Sequence, residues 1–255
     1  MGDRAVQGWA GNDGVVSTAS TGLSSFPQGG VAAVVGATGG IGHALVHALE
    51  RSGRFTRTLP LGRRSHPMVD LEDEASVSRA AEHAATQGEI RLVINAAGFL
   101  HGEGVEPEKS WRSLDAAHMA KSFAVNTIGP ALLMKHFLPL LPPTGKAAFV
   151  TLSAKVGSIA DNQLGGWYSY RASKAALNQL VRTAAIELKR YRPQAICVAL
   201  HPGTVDTPLS SPFTKAGLKV QTPVDAAAAI ISCLDELGPD SSGGFFDRSG
   251  FPLPW

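Results

Sequence analysis

The chain has 255 residues, of which 44% are hydrophobic and 17% are charged, and its formal net charge is +2. This length and apolar content suit one globular α/β domain, and the scattered charges lack the basic run expected of a nucleic-acid-binding protein. No apolar run reaches the ~20 residues that cross a bilayer, so we expect a soluble protein without a membrane partner. Cys197 and Cys233 lie in apolar runs, which predicts buried thiols in a reducing compartment rather than a disulfide or a metal pair.

Residues 1–28 are rich in glycine, serine and threonine, and Arg4 is their only cation. They lack the charged and apolar regions of a secretory signal, so we predict a flexible extension ahead of a single domain over residues 29–255. The expected location is the cytoplasm. Plastid transit segments are also Ser-rich and acid-poor, so plastid targeting stays open.

The predicted domain begins with a strand over residues 30–35, a glycine turn over residues 36–42 and a helical pattern over residues 44–49. Glycines at positions 36, 40 and 42 let the backbone turn tightly, approach a pyrophosphate and direct helix amides at it. The turn therefore predicts dinucleotide binding. His43 and His47 follow one helical turn apart, but no third ligand accompanies them, so we expect a solvated helix face and no metal site.

A second strand is predicted over residues 56–61, and Gly62, Arg63 and Arg64 follow it. Folds that prefer NAD place an acid here for the adenosine ribose, whereas an arginine accommodates the 2′-phosphate of NADP. The missing acid therefore favours NADP(H) over NAD(H). The alternative is that both arginines are ordinary surface charges.

Further along the chain, we predict a helix over residues 74–87 and a strand over residues 91–95 that opens into a loop carrying His101. Loops that leave the carboxyl ends of central strands lie where ligands bind in doubly wound sheets. A long helix is predicted over residues 119–141, with Asn126 beside Gly129-Pro130. A backbone break at Asn126 either holds a proton-relaying water or is a kink that the amide side chain satisfies.

The last part of the predicted domain contains strands over residues 146–152, 195–200 and 243–247, and a helix over residues 223–237. His201-Pro202-Gly203 follows the second of these strands. Leu209, Phe213 and Leu218 give the segment over residues 209–222 an apolar lining, which suits a substrate lid. Alternating strands and helices after a phosphate-binding turn imply a doubly wound parallel sheet.

Tyr170 and Lys174 stand four residues apart in a segment with an apolar helical face, so they share one face of the predicted helix. A lysine beside a tyrosine favours the ionised phenol and lowers its pKa from the ordinary ~10, which makes the hydroxyl useful for proton transfer. Alone the pair is weak evidence, because many helices carry these residues at this spacing. The other motifs along the chain favour the interpretation of Tyr170 and Lys174 as a general acid/base pair.

Taken together, these motifs resemble the short-chain dehydrogenase/reductase family in its single-domain form, in that family's order, over residues 31–255. The stretch over residues 157–168 is similar to sniffer-type carbonyl reductases and bacterial C-factor-like proteins. The resemblance implies a Rossmann-type sheet of about seven strands with helices on both faces. The third of these strands is expected around Asp70, within residues 69–73. It also implies a homodimer or homotetramer, in which the helix of Tyr170 packs against its mate.

The chain departs from the family pattern at the serine that assists the tyrosine. Counting back from Gly157, the usual serine position holds Ala154, and Ser153 lies one residue early. In an extended strand this shift turns the side chain to the other face. Either a bulge or twist lets Ser153 or Ser158 supply the hydroxyl, or the donor is lacking, and Ser153 is our prediction.

The resemblance implies that Tyr170 is the general acid/base, that Lys174 binds the nicotinamide ribose and that Asn126 holds a relay water. The implied catalytic residues are therefore Tyr170, Lys174, Ser153 and Asn126. The implied cofactor-binding residues are Gly36, Thr38, Gly40, Ile41, Gly42, Arg63, Asp70, Asn95, Ala96, Gly98, Tyr170, Lys174, Pro202, Gly203, Val205 and Thr207.

The predicted function is therefore an NADP(H)-dependent oxidoreductase that reduces a small-molecule carbonyl or oxidises the corresponding alcohol. The alternative is a signalling or regulatory protein that binds the nucleotide but has little activity. Ala154 at the serine position favours the second interpretation, and the retained Tyr170, Lys174 and Asn126 favour the first.

Overall fold

The computed structural model describes residues 22–102, 104–213 and 220–255. The strands are β1 Val31–Val35, β2 Arg57–Leu61, β3 Ile90–Asn95, β4 Ala147–Leu152, β5 Ala195–His201 and β6 Phe245–Asp247. The α-helices are α1 Gly40–Ser52, α2 Glu74–Thr86, α3 Ala116–Phe123, α4 Gly129–Phe137, α5 Tyr168–Tyr191 and α6 Pro223–Glu236. Short 3-10 turns at Trp111–Ser113, Leu138–Leu140, Lys155–Gly157, Ser211–Phe213 and Pro239–Ser241 connect them.

All strand pairs are parallel, and the strands follow the order β2-β1-β3-β4-β5-β6. Every residue of β1, β3 and β4 is buried, as expected when helices cover both faces of a parallel sheet. Alternate strand residues enter two separate cores. Val34 packs with α1 and α6 on one face, and Val35 packs with α2, α4 and α5 on the other. The predicted doubly wound α/β fold is confirmed.

The strand expected around Asp70 is reduced to one parallel bridge between Gly62 and Met68. Local side-chain bonds hold this connection in turns instead. The Ser65 hydroxyl donates to the carbonyl oxygens of Gly62 and Pro67, and the Ser76 hydroxyl accepts from the Asp70 amide at 2.9 Å. The described residues therefore form six strands, one fewer than expected.

The boundary predicted after residue 28 falls too late. Leu23 and Phe26 are buried in the core beside α1 and α6. Asp235 fixes this segment by accepting from the Ser24 hydroxyl and the Ser25 amide, at 3.1 and 2.7 Å. Residues 1–21, the rest of the predicted extension, lie outside the described part of the chain. Within the described residues, no helix is both long and apolar enough to cross a membrane.

Candidate active site

The glycine turn joins β1 to α1 at the carboxyl edge of the sheet. Its chain is so tightly folded that a Cβ on Gly42 would lie 2.2 Å from the Gly36 carbonyl oxygen. Gly36 itself has φ 82° and leaves no room for a Cβ beside Ala97. Gly39 begins α1 without a side-chain cap, so the first amides of the helix are open to an anion. These features fit the phosphates of a dinucleotide.

The end of β2 lies beside this turn, because the amides of Gly36 and Ala37 donate to the Leu61 carbonyl oxygen at 2.9 and 3.2 Å. Arg63 and Arg64 follow directly and are exposed. Neither guanidinium makes an ion pair with another described residue, so both are free to meet an anionic group. Asp70 makes a local contact, in which its Oδ1 accepts from the Glu72 amide at 3.1 Å.

Asn95 ends β3 and shapes the loop that follows. Its Nδ2 donates to the Thr151 hydroxyl on β4 at 3.1 Å, and its Oδ1 accepts from the Ala97 amide at 3.2 Å. Ala96 packs against the core on the α1 face. This arrangement brings the next residue, Gly98, to the site, where a Cβ would lie 3.8 Å from the Lys174 Nζ.

The long helix predicted over residues 119–141 is broken at Asn126. A π-helical turn, Ala124–Ile128, separates α3 from α4, and such turns are frequent at functional sites. Asn126 is fully buried, and its Nδ2 donates to the Phe99 carbonyl oxygen at 2.7 Å and to the Ser173 hydroxyl at 3.1 Å. Its Oδ1 accepts from the Phe99 amide at 2.8 Å. Asn126 therefore ties the loop after β3 to α5, and the water relay stays a prediction.

Tyr170 and Lys174 lie on one face of α5, with the Lys174 Nζ 5.7 Å from the centre of the Tyr170 ring. The Nζ donates to the Leu152 carbonyl oxygen at 2.8 Å, which fixes the lysine at the end of β4. Burial lowers the pKa of Lys174 to about 8 and raises the pKa of Tyr170 to about 12. The tyrosine pKa is thus raised in this structure and not lowered as expected, because burial disfavours the ionised phenol.

The end of β4 has no bulge that would turn the Ser153 side chain to the other face of the strand. The pairing of β4 with β5 is regular to its last residue, and Ala154 is extended. The buried Ser153 hydroxyl donates to the Asn178 Oδ1 on α5 at 2.7 Å. The Ser158 hydroxyl accepts from the Asp161 amide at 3.1 Å. Ser153 is thus held against the same helix as Tyr170 and Lys174, and its catalytic role stays a prediction.

The turn after β5 closes the site on the side of the glycine turn. A Cβ on Gly40 would lie 2.9 Å from the Thr207 Cγ2, so these two segments are in contact. The backbone of Gly203 is left-handed, with φ 83°. Gln221 holds the turn, because its side chain donates to the Pro202 carbonyl oxygen and its backbone forms a bridge with Val205. Among the predicted lid residues, Leu209 and Phe213 are half-buried, whereas Leu218 lies outside the described residues.

Sequence reasoning missed Glu108, a carboxylate that is 2% exposed at the N-terminus of α5. Its two oxygens accept from the Ser169 amide at 3.3 and 3.2 Å, and the Ser169 hydroxyl donates to the same group. Glu108 and Ser169 are 61 residues apart, so no local pattern indicates this contact. The one visible signal was an acidic residue in a loop that leaves the ligand-binding edge of the sheet.

His43 and His47 lie on an exposed face of α1, as predicted. Their rings meet edge to face with centroids 4.4 Å apart. Within the described ranges, no cluster of three or more side chains suited to a metal ion occurs.

The site therefore combines an open helix N-terminus, free arginines and a tyrosine-lysine pair at one edge of a doubly wound sheet. These are the parts of a dinucleotide-dependent oxidoreductase of the Rossmann class. Residues 50–230 match the family model described as enoyl-(acyl carrier protein) reductase. The chain belongs to the short-chain dehydrogenase/reductase family.

Individual relatives agree with this assignment. The chain is 32% identical over 232 residues to 1-hydroxy-2-glutathionyl-2-methyl-3-butene dehydrogenase of Rhodococcus sp. (strain AD45), covering 87% of this chain and 98% of that protein. It is 35% identical over 172 residues to the C-signal protein of Myxococcus xanthus, covering 66% of this chain and 94% of the relative. The structure of NADPH-bound carbonyl reductase from chicken fatty liver has a TM-score of 0.78 at 26% identity, over 92% of this chain and 98% of that one.

Proposed function

We propose that this protein is an NADP(H)-dependent oxidoreductase that reduces a carbonyl group, or oxidises the corresponding alcohol, with Tyr170 as general acid/base. The observation that carries the proposal is the position of Tyr170 and Lys174 on one face of α5, with the Lys174 Nζ fixed to the Leu152 carbonyl oxygen at 2.8 Å. Gly98 lies beside Lys174, and Ala97, the residue before it, contacts Gly36 of the glycine turn. A proton donor therefore faces the edge of the sheet where a nicotinamide cofactor would bind.

The nicotinamide supplies the hydride when it is bound, and the chain supplies the proton and the positioning. Because burial raises the pKa of Tyr170 to about 12, its phenol is protonated at neutral pH and ready to donate to a carbonyl oxygen. The buried Lys174 would hold the nicotinamide ribose, and Asn126 would connect the lysine to solvent through a water. Ser153, whose hydroxyl is bonded to Asn178 on the same helix, would help to hold the carbonyl oxygen.

The test of this proposal is a titration of the purified protein with NADPH and with NADH, followed by NADPH consumption against a panel of aldehydes and ketones. We expect tight NADPH binding and turnover with at least one carbonyl. Binding without turnover on any carbonyl contradicts the oxidoreductase, and failure to bind either nucleotide contradicts the assignment of the glycine turn.

NADP(H) is the proposed cofactor because Arg63 and Arg64 are exposed beside the glycine turn and form no ion pair within the described part of the chain. We expect Arg63→Ala to weaken NADPH binding about 10-fold and to leave NADH binding nearly unchanged, because a charge-assisted bond to the 2′-phosphate is lost. Titration of both nucleotides by fluorescence measures the effect. Arg57→Ala is the matched control, since Arg57 is equally exposed at the other end of β2. Equal loss for NADPH and NADH would contradict a 2′-phosphate contact.

A second candidate function is a nucleotide-binding signalling protein with little activity. Ala154 stands at the family's serine position, the Ser153 hydroxyl is engaged with Asn178, and the C-signal protein is among the relatives. NADPH binding without turnover on the carbonyl panel is the result that favours this candidate over the oxidoreductase.

We also propose a homodimer or homotetramer that packs through α5. Ile186 on this helix is 52% exposed, and small residues such as Ala172 and Ala176 line its accessible side. Light scattering at micromolar concentration should give at least twice the mass of one chain, and Ile186→Glu should lower that mass. Val224→Glu on α6 is the control, because Val224 is 58% exposed. A monomeric wild type would contradict the proposal.

The cytoplasm is the proposed location. Cys197 and Cys233 are both free and buried. Burial raises the pKa of the Cys197 thiol to about 12 and that of Cys233 to about 11, so both are held protonated and unreactive. Such thiols fit a reducing compartment.

A further inference from the structure

Three consecutive residues immediately before α5 have left-handed backbone conformations. Gly165 and Gly166 have φ of 62° and 67°, and Trp167 follows with φ 54° and ψ 43°. This conformation is costly for a bulky side chain and persists only where the surrounding structure imposes it. Trp167 is therefore held in place by specific contacts.

Glu108 and Arg171 supply those contacts. The Glu108 carbonyl oxygen accepts from the Trp167 amide at 2.5 Å, while its carboxylate binds Ser169 in the first turn of α5. The Arg171 guanidinium donates to the carbonyl oxygens of Gly166 and Gly165 at 3.0 and 3.2 Å. The backbone of the turn is thus fixed from both sides.

The indole lies against Tyr170 and Phe213. Its ring centroid is 6.3 Å from that of Tyr170 and 5.3 Å from that of Phe213, with edge-to-face angles of 75° and 70°. His101 extends this group, because its ring lies 5.1 Å from Phe213 and its Nε2 is 3.1 Å from the Pro208 carbonyl oxygen. Trp167, Phe213 and His101, which we call the aromatic wall, come from three separate loops and are all half-buried.

We propose that Trp167 is a specificity-determining residue, and that the aromatic wall selects carbonyl substrates that carry an aromatic ring on the carbonyl carbon. The inference rests on the proposed function, because it requires that Tyr170, which Trp167 contacts, is the proton donor. Aromatic rings prefer edge-to-face and offset contacts with other rings, and such contacts add to the gain from burying apolar area. A saturated ring of similar size cannot make the edge-to-face contact between two aromatic rings, so we expect the wall to favour the aromatic substrate.

The experiment compares kcat/KM for acetophenone and cyclohexyl methyl ketone, which have the same carbon skeleton and differ in the aromaticity of the ring. The ratio of the two values is measured in wild type, Trp167→Leu and Trp167→Phe, so that differences in intrinsic ketone reactivity cancel. We expect Trp167→Leu to lower the ratio about 10-fold, and Trp167→Phe to retain most of it. Trp111→Leu is the control, because Trp111 is a 69% exposed indole outside the wall.

Phe213→Leu provides a second variant that does not change the strained turn, and it should lower the ratio in the same direction. NADPH binding is measured for each variant to separate substrate selection from damage to the fold. A ratio unchanged in both leucine variants, or a wild type that reduces other carbonyls but not acetophenone, overturns the aromatic wall and leaves the proposed function standing. A wild type that is inert towards every carbonyl overturns both.

Discussion

Tyr170→Phe is expected to lower kcat by roughly 10²- to 10⁴-fold, the usual contribution of one well-placed general acid. The substitution removes the phenolic proton and leaves the ring, with its contact to the Lys174 Nζ, in place. Since the proposed cofactor contacts lie mainly in the glycine turn and neighbouring loops, NADPH affinity should change little. Steady-state turnover on an active carbonyl and NADPH titration measure the two effects separately.

Tyr168→Phe is the matched control for this prediction. Tyr168 begins the same helix two residues earlier and is half-buried like Tyr170, but the family motif assigns it no role. Its turnover should stay near that of wild type. If Tyr170→Phe keeps turnover within about 10-fold of wild type, the proton comes from another group and the proposed mechanism is wrong.

The parts of the fold set by local pattern were predicted well from the sequence. The glycine turn, the strand ends beside it and the helix that carries Tyr170 lie where the apolar runs and glycine spacing indicated. These features depend on residues close together in the chain, so the pattern contains most of the information. The break at Asn126 was also indicated locally, by a polar residue beside Gly129-Pro130 in an apolar helix.

Features that depend on distant partners were not predicted. Leu23 and Phe26 lie in a Gly- and Ser-rich segment, yet they are buried in the core beside α1 and α6. Ser24 and Ser25 between them bind Asp235, which is more than 200 positions away. The strand around Asp70 was expected from the family resemblance, yet the hydroxyl groups of Ser65 and Ser76 bond to nearby backbone groups and favour turns there. The burial of Leu23 and Phe26 is a tertiary effect, whereas the turns around Asp70 come from local hydroxyl bonds.

Within the site, residue types were predictable but their electrostatics and partners were not. The Tyr170-Lys174 spacing correctly placed both side chains on one face, but burial moved the tyrosine pKa in the opposite direction to the expected one. The partner of Ser153 is Asn178, on another element. Desolvation and long-range hydrogen bonds depend on the packed structure, and the sequence pattern contains neither.

Gly42→Ala is expected to weaken NADPH binding by about 10²-fold, because the added methyl group would displace the backbone amides that are proposed to bind the pyrophosphate. Its Cβ would lie 2.2 Å from the Gly36 carbonyl oxygen and 3.1 Å from the Ala37 Cα. Both neighbours are backbone atoms, so the turn itself must move, which should also lower the free energy of unfolding by ~1–3 kcal/mol. NADPH titration and urea denaturation measure the two effects.

Gly238→Ala separates this steric effect from the general cost of removing a glycine, because a Cβ at Gly238 meets no atom within 4 Å. It should leave both NADPH affinity and stability near those of wild type. If Gly42→Ala is destabilised but binds NADPH with wild-type affinity, the turn serves the fold and the phosphates bind elsewhere. If the free energy of NADPH binding falls by much more than the free energy of unfolding, the result supports direct contact between the turn and the phosphates.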